Sequence, residues 1–110
     1  MVRNTATTRQ VLNAFVESGG TRLYGFDLIR VTGLPSGTVY PILQRLEGEG
    51  WLSSAWEQID PTELGRPRRR FYRISAGGVA AAGRFNDEIA ARRRRASTPW
   101  QAQLPQKGAM

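Results

Sequence analysis

Apolar residues along this chain fall into stretches of helical period separated by two short alternating runs. Thr8, Val11, Leu12, Phe15 and Val16 form one stripe. They predict a first helix over 8–17, opened by a Thr7–Gln10 capping box and ended by Ser18-Gly19-Gly20. Phe26, Leu28 and Ile29 predict a short second helix across Leu23–Val31, stopped at Gly33. Val39, Ile42, Leu43 and Leu46 stand at i, i+3, i+4 and i+7, the spacing of one buried face. That third helix takes Ser36 as its N-cap and Gly50 as its stop. Trp51–Glu57 and Arg68–Ile74 read as strands, with Leu52 and Trp56 turned inward on the first and Tyr72 and Ile74 on the second. Gln58–Pro67 between them is a polar loop. Ser75 caps a last helix with Ala82, Phe85 and Ile89 on one face and Val79 near its edge, although Gly77, Gly78 and Gly83 oppose helix. Residues 1–7 read as a flexible start. Ala96–Met110 reads as a disordered tail, in which Trp100 is the one large aromatic residue.

The polar positions say more about purpose. Opposite its buried stripe the third helix presents Gly37, Tyr40, Pro41 and Gln44, with Thr38 and Arg45 on the flank and no acid. Such a face packs poorly and suits a DNA groove. Pro41 cannot donate its backbone hydrogen bond and should bend the helix near its first turn. Two short helices, the turn Thr32-Gly33-Leu34-Pro35 and this third helix are the ingredients of a helix-turn-helix, and an appended hairpin makes it a winged helix. Tyr24, at the start of the second helix, serves either as a phosphate contact or as packing against the third. Leu12 and Phe15 of the first stripe are either plain core or part of a dimer interface. The same choice applies to Val79, Ala82, Phe85 and Ile89 of the last helix. The expected fold is therefore mainly α with a small β-hairpin (α+β). A winged helix-turn-helix occupies 8–74, an added C-terminal dimerisation helix 75–95, and the tail 96–110.

Composition narrows the function. At 110 residues the chain makes one small domain. It has no cysteine and no histidine, so disulfides, thiolate metal sites and ordinary nucleophile–base pairs are disfavoured. We expect no enzyme, no cofactor and no metal. There is no eighteen-residue apolar run and no signal-peptide core, so a cytoplasmic protein without a membrane contact is expected. The net charge is +7, and nearly all the cations are arginine, since Lys107 is the only lysine. Arg66, Arg68, Arg69, Arg70 and Arg73 form one cluster and Arg92–Arg95 another. Both point to a polyanion, nucleic acid ahead of a membrane surface.

At these residues the chain resembles the PadR family of bacterial transcriptional regulators. The resemblance runs from Leu12 to Ile89. It rests on Leu23-Tyr24-Gly25-Phe26-Asp27-Leu28-Ile29, on Ser36-Gly37-Thr38-Val39-Tyr40-Pro41 through Leu46-Glu47-Gly48-Glu49-Gly50-Trp51-Leu52, on Trp56-Glu57, and on Gly65-Arg66-Pro67-Arg68-Arg69-Arg70-Phe71-Tyr72-Arg73-Ile74-Ser75. It accounts for Pro41. It implies a homodimeric DNA-binding regulator, joined through its C-terminal helix with help from the first. Members typically repress nearby genes, and some release DNA when a small molecule binds. Two departures stand out: the last helix is short and glycine-interrupted, and Val39 replaces a common leucine. The expected mechanism places two third helices in successive major grooves of an inverted-repeat operator. Thr38, Tyr40 and Gln44 then read base edges, and Arg45 reaches a guanine or a phosphate. Ser36, Gly37 and Tyr24 hold the backbone, with Pro41 on the same face, and Arg66, Arg68 and Arg70 add phosphate or minor-groove contacts. Its partners are double-stranded DNA, a second copy and a small-molecule effector, with the protein on the nucleoid when bound. The alternative from another class is a winged-helix adaptor that docks an acidic protein. An RNA-binding module ranks last, because few stacking aromatics are exposed.

Overall fold

The computed structural model describes residues 1–97 of the chain. The elements run α1 (Ala6–Glu17), β1 (Leu23–Tyr24), α2 (Gly25–Thr32), α3 (Ser36–Gly48), β2 (Leu52–Trp56), α4 (Pro61–Leu64), β3 (Arg70–Ile74) and α5 (Ala76–Ser97). The strands form one antiparallel sheet in the order β1-β3-β2. Tyr24 lies opposite Phe71, and Ser54 opposite Tyr72. One face of this sheet closes onto α1, α2 and α3 through a core that includes Val11, Leu12, Phe15, Leu28, Val39, Ile42, Leu43, Leu46 and Leu52. The α3 stripe is buried as its period requires, since all its members are 2% exposed or less.

Several local expectations change. Thr5, not Thr7, caps α1; its side chain accepts from the Thr8 N–H at 3.2 Å and donates to the Thr8 hydroxyl at 2.8 Å. Leu23 and Tyr24 leave the helix to pair with β3, so α2 begins at Gly25. The helix still ends at Gly33, whose φ of 73° is the left-handed turn that glycine accepts without strain. Pro35, not Ser36, is the N-cap of α3; its carbonyl accepts from the N–H groups of Thr38 and Val39. Pro41 sits inside α3 and removes the bond to the Gly37 carbonyl, which is on the exposed side where water can satisfy it. Phe26, Val16 and Val79 are exposed rather than core. Trp56 shares a strand face with Leu52 but is 57% exposed, because β2 runs on past the helices that cover Leu52. The loop after it contains the single turn α4, capped by Asp60.

Ser75 caps α5, accepting from the Gly78 N–H at 3.1 Å while donating to the Gly50 carbonyl at 2.7 Å. The glycines that weaken this helix have a reason at Gly78: a β-carbon there would collide with the Trp51 carbonyl oxygen and the Ile74 side chain. Glycine lets α5 start flush against the sheet. The helix continues through Ala96 to Ser97, two residues into the stretch expected to be a tail; the remainder of that expectation, with Trp100, lies outside the described residues. Among the described residues no helix is long and apolar enough to cross a membrane.

Candidate nucleic-acid interface

Burying Val39, Ile42, Leu43 and Leu46 turns the other side of α3 outward. Gly37, Tyr40, Pro41, Gln44 and Arg45 are exposed and Thr38 is half-buried. Among the described residues the side chains of Thr38, Gln44 and Arg45 have no hydrogen-bond partner, which leaves their donors and acceptors for a ligand. Tyr40 is different. Its ring lies across the start of α2, so close to Gly25 that a β-carbon there would fall 2.5 Å from the Tyr40 hydroxyl oxygen. Tyr40 is half-exposed and also joins α3 to α2.

The hairpin is held beside this face by two carboxylates. Glu57, at the end of β2, is 8% exposed, and its carboxylate accepts four hydrogen bonds from three residues. Arg66 gives Nη1 to Oε1 at 2.7 Å and Nη2 to Oε2 at 3.2 Å; the Arg69 backbone N–H gives to Oε1 at 2.9 Å and the Tyr24 hydroxyl to Oε2 at 3.1 Å. The Glu57 backbone N–H in turn donates to the Arg69 carbonyl at 2.9 Å and extends the ladder. The Arg66 guanidinium, with help from Arg69 and Tyr24 and against the cost of burial, holds the Glu57 carboxyl at about 2 instead of 4.5. Glu57 in turn raises the pKa of Arg66. Glu47, in the last turns of α3, accepts from Arg70 Nη2 at 3.2 Å and from the Ser54 hydroxyl, while Arg70 Nε donates to Ser54 at 2.9 Å. The Arg70 guanidinium also lies over Trp56, 5.7 Å from the ring centroid. A recess of about 450 Å³ between α3 and the hairpin is lined by Tyr40, Gln44, Glu47, Gly48, Arg70 and Tyr72.

These contacts redistribute the expected roles. Arg66 and Arg70 are bonded into the protein and act as struts. Tyr24 spends its hydroxyl on Glu57 and sets its ring against Phe26 and Phe71, a structural role within the sheet and α2 and not the alternative of packing against α3. Arg68 is exposed, tied by one bond from Nε to the Ile59 carbonyl at 3.0 Å. Arg69, absent from the expected set, is exposed with its guanidinium 5.4 Å from the Phe26 ring centroid. Ser36 and Gly37 are exposed in the first turn of α3 as expected. The expected dimer residues divide in the same way. Leu12 and Phe15 are 0% exposed inside the chain's own core, and Ala82 and Phe85 are buried too, with Phe85 set edge-on to Trp51 at 5.6 Å. Only Val79 and, in part, Ile89 remain on the surface. Sequence reasoning passed over Glu47 and Glu57. Their one signal is that each acid flanks β2, with arginines both in the loop that follows (Arg66) and on the returning strand (Arg70).

Residues 21–84 match the model of the transcriptional regulator PadR-like family. No curated protein matches the chain. Among solved structures, smu.1704 from Streptococcus mutans UA159 is 20% identical, with a TM-score of 0.70 over 96% of this chain and 96% of that one. The PcaV transcriptional regulator from Streptomyces coelicolor, solved with its natural ligand, is 23% identical; its TM-score is 0.67 over 96% of this chain and 66% of that one. A PadR family transcription regulator from Clostridium difficile R20291 is 18% identical, with a TM-score of 0.60 over 90% and 97%. At these identities the likeness is one of fold.

Proposed function

The chain belongs to the PadR-like family of transcriptional regulators, and on that premise we propose that it is a sequence-specific DNA-binding repressor, not an enzyme, acting as a homodimer on an inverted repeat. The observation that carries this is the outer face of α3: its one acid, Glu47, is paired with Arg70, and the side chains of Thr38, Gln44 and Arg45 are unpartnered among the described residues. Gln44 and Thr38 read base edges, Tyr40 sets the tilt of α3 against α2 and reaches the groove with its exposed edge, and Arg45 reaches a guanine or a phosphate. Ser36, Gly37 and Pro41 bring the start of the helix close to the backbone. Arg68 and Arg69 supply the wing's phosphate contacts, and Arg66 and Arg70 fix where the wing stands.

Residues 8–74 form the DNA-binding unit, and α5 carries the dimer contact through Val79 and Ile89. Two α3 helices about 34 Å apart then meet successive major grooves. A small-molecule effector fits the same scheme, since PcaV was solved with a natural ligand. The test is fluorescence anisotropy on DNA from upstream of the protein's own gene, beside a scrambled duplex, across a salt series. We expect preference for the upstream duplex, with affinity falling by roughly three to five orders of magnitude from 50 to 200 mM salt if six to ten phosphates are contacted. Failure to bind either duplex at low salt overturns the reading and favours an adaptor for an acidic protein.

A further inference from the structure

The helix α5 is anchored at its start and exposed near its end. Ser75 ties it to Gly50, Phe85 packs on Trp51, and Asn86 and Asn13 exchange side-chain hydrogen bonds at 2.9 and 3.2 Å. A further tie is Asn4, whose Nδ2 donates to the Phe85 carbonyl at 3.1 Å and reaches Glu88. Ile89, Ala90 and Ala91 are half-buried, and Arg92, Arg93, Arg94 and Arg95 are exposed. At about 100° per residue, four successive arginines encircle the helix as a collar, not a stripe. Among the described residues Arg92, Arg93 and Arg95 make no hydrogen bond, ion pair or ring contact. This holds even though Glu88 stands four residues before Arg92, the spacing of a helical ion pair.

Cations in a last helical turn are favoured by the helix dipole, which explains an arginine or two. It does not explain a full collar, in which Arg92 and Arg95 face each other as like charges three residues apart. A polyanion relieves that crowding. The neighbours of the collar decide which one. Ala90, Ala91 and Ala96 offer neither the bulky apolar anchors of a membrane-surface helix nor a pocket for a peptide side chain. What remains is charge alone, the match for a duplex backbone with one negative charge per ≈ 1.7 Å. Position matters as well: α5 packs on α1 and β3 and shares the core onto which the α3 stripe is buried, so the helix that bears the collar lies on the buried side of α3 and not on its outer face.

We propose that the arginine collar of α5 is a second, sequence-independent contact for duplex DNA, on the side away from the outer face of α3, so that one molecule holds two duplex segments. This rests on the reading of α3 as the first contact. The test uses the full chain, a collar variant (Arg92→Gln, Arg93→Gln, Arg95→Gln) and an α3 variant (Thr38→Ala, Gln44→Ala), each checked for fold by circular dichroism. Two quantities are measured. One is the salt dependence of binding to a random duplex. The other is capture of a second, labelled duplex by protein already held on a bead-tethered one. The wild type should capture the second duplex. The collar variant should still bind the first, lose capture, and show a salt slope lower by roughly 0.9 for each arginine removed. Unchanged slope and capture overturn the proposal. So does a shift in oligomeric state by light scattering, which would assign the collar to a contact between copies, and so does wild-type binding to phosphatidylserine vesicles without duplex capture. If only the α3 variant loses duplex preference and the collar variant behaves as wild type, the collar fails and the α3 reading stands. The reverse pattern removes the α3 reading and keeps the collar.

Discussion

The two arginine clusters have similar composition and opposite circumstances. At the base of the wing, Arg66 meets Glu57 and Arg70 meets Glu47, each within 3.2 Å. Near the end of α5, Arg92, Arg93 and Arg95 form no ion pair among the described residues. The hairpin register is what separates them. It brings β2, β3 and the end of α3 together, and with them two carboxylates. The helix leaving the core brings no bonded acceptor to Arg92, Arg93 or Arg95 among the described residues. Cationic sequence therefore has two meanings in this protein: where the fold supplies an acceptor, arginine shapes the wing, and where it does not, arginine remains available to a partner.

The largest effect should come from breaking the wing base. In Arg66→Ala the Glu57 carboxylate keeps Tyr24 and the Arg69 N–H but loses its charged partner in a spot that is 8% exposed. We expect the greatest fall in melting temperature among the variants discussed here, faster proteolysis within 58–69, and weaker DNA binding without loss of sequence preference. An unchanged melting temperature would put Arg66 in the same category as the collar.

Acid titration sharpens the same point with the native chain. The Glu57 carboxyl titrates near 4.5 when unfolded and at about 2 when folded. Its contribution is thus whole above about pH 4.5 and is lost as pH falls toward 2, because the unfolded chain takes up the proton first. Thermal melts from pH 6 to pH 2.5 should show this loss in the wild type. Glu57→Gln should flatten that part of the profile. A variant profile parallel to the wild type would mean that other carboxyls carry the acid sensitivity.

How far the sequence reveals this division depends on the range of each interaction. The α3 stripe is legible because one period over two turns names all its members. Helix α2 is only two turns long, too short to separate Phe26, which is exposed, from Leu28, which is buried. Strand β1 has no local signal, since Leu23 and Tyr24 become a strand only by pairing with Phe71 and Tyr72 far along the chain. Trp56 follows the right alternation but passes the edge of the core. The α3 face could be read from Gly37, Tyr40, Pro41 and Gln44 standing opposite the buried stripe. The strut roles of Arg66 and Arg70 could not, because they depend on which carboxylates the register delivers. Leu12 and Phe15 show the same limit: their stripe is clear, but whether it meets the chain's own core or another copy is a matter of tertiary packing.

A smaller effect is expected at the second strut. Arg70 and Glu47 are 43% and 33% exposed, so water screens the pair, and Glu47→Gln should cost about 0.2–1 kcal/mol in denaturant unfolding. Its functional signature should exceed its stability signature. Glu47 belongs to α3 and Arg70 to the wing, so loosening the pair alters the angle between reading helix and hairpin. The ratio of specific to random binding should fall more than affinity for random DNA does. Equal loss on both would make Arg70 a plain phosphate contact.

The smallest effect should lie on the collar, and its size is the argument. Arg93 has Ile89 and Ala90 one turn before it and Ala96 and Ser97 one turn after, so no helical partner of either charge stands at i±3 or i±4. Replacing it by glutamine keeps helix propensity and removes only a solvated charge, so stability should stay within about 0.5 kcal/mol of the wild type. Its salt slope on a random duplex should nonetheless drop by roughly 0.9. A stability loss at Arg93 comparable to that at Arg66 would erase the contrast between the clusters, because it would mean that this arginine, too, has an acceptor within the protein or in a second copy of it.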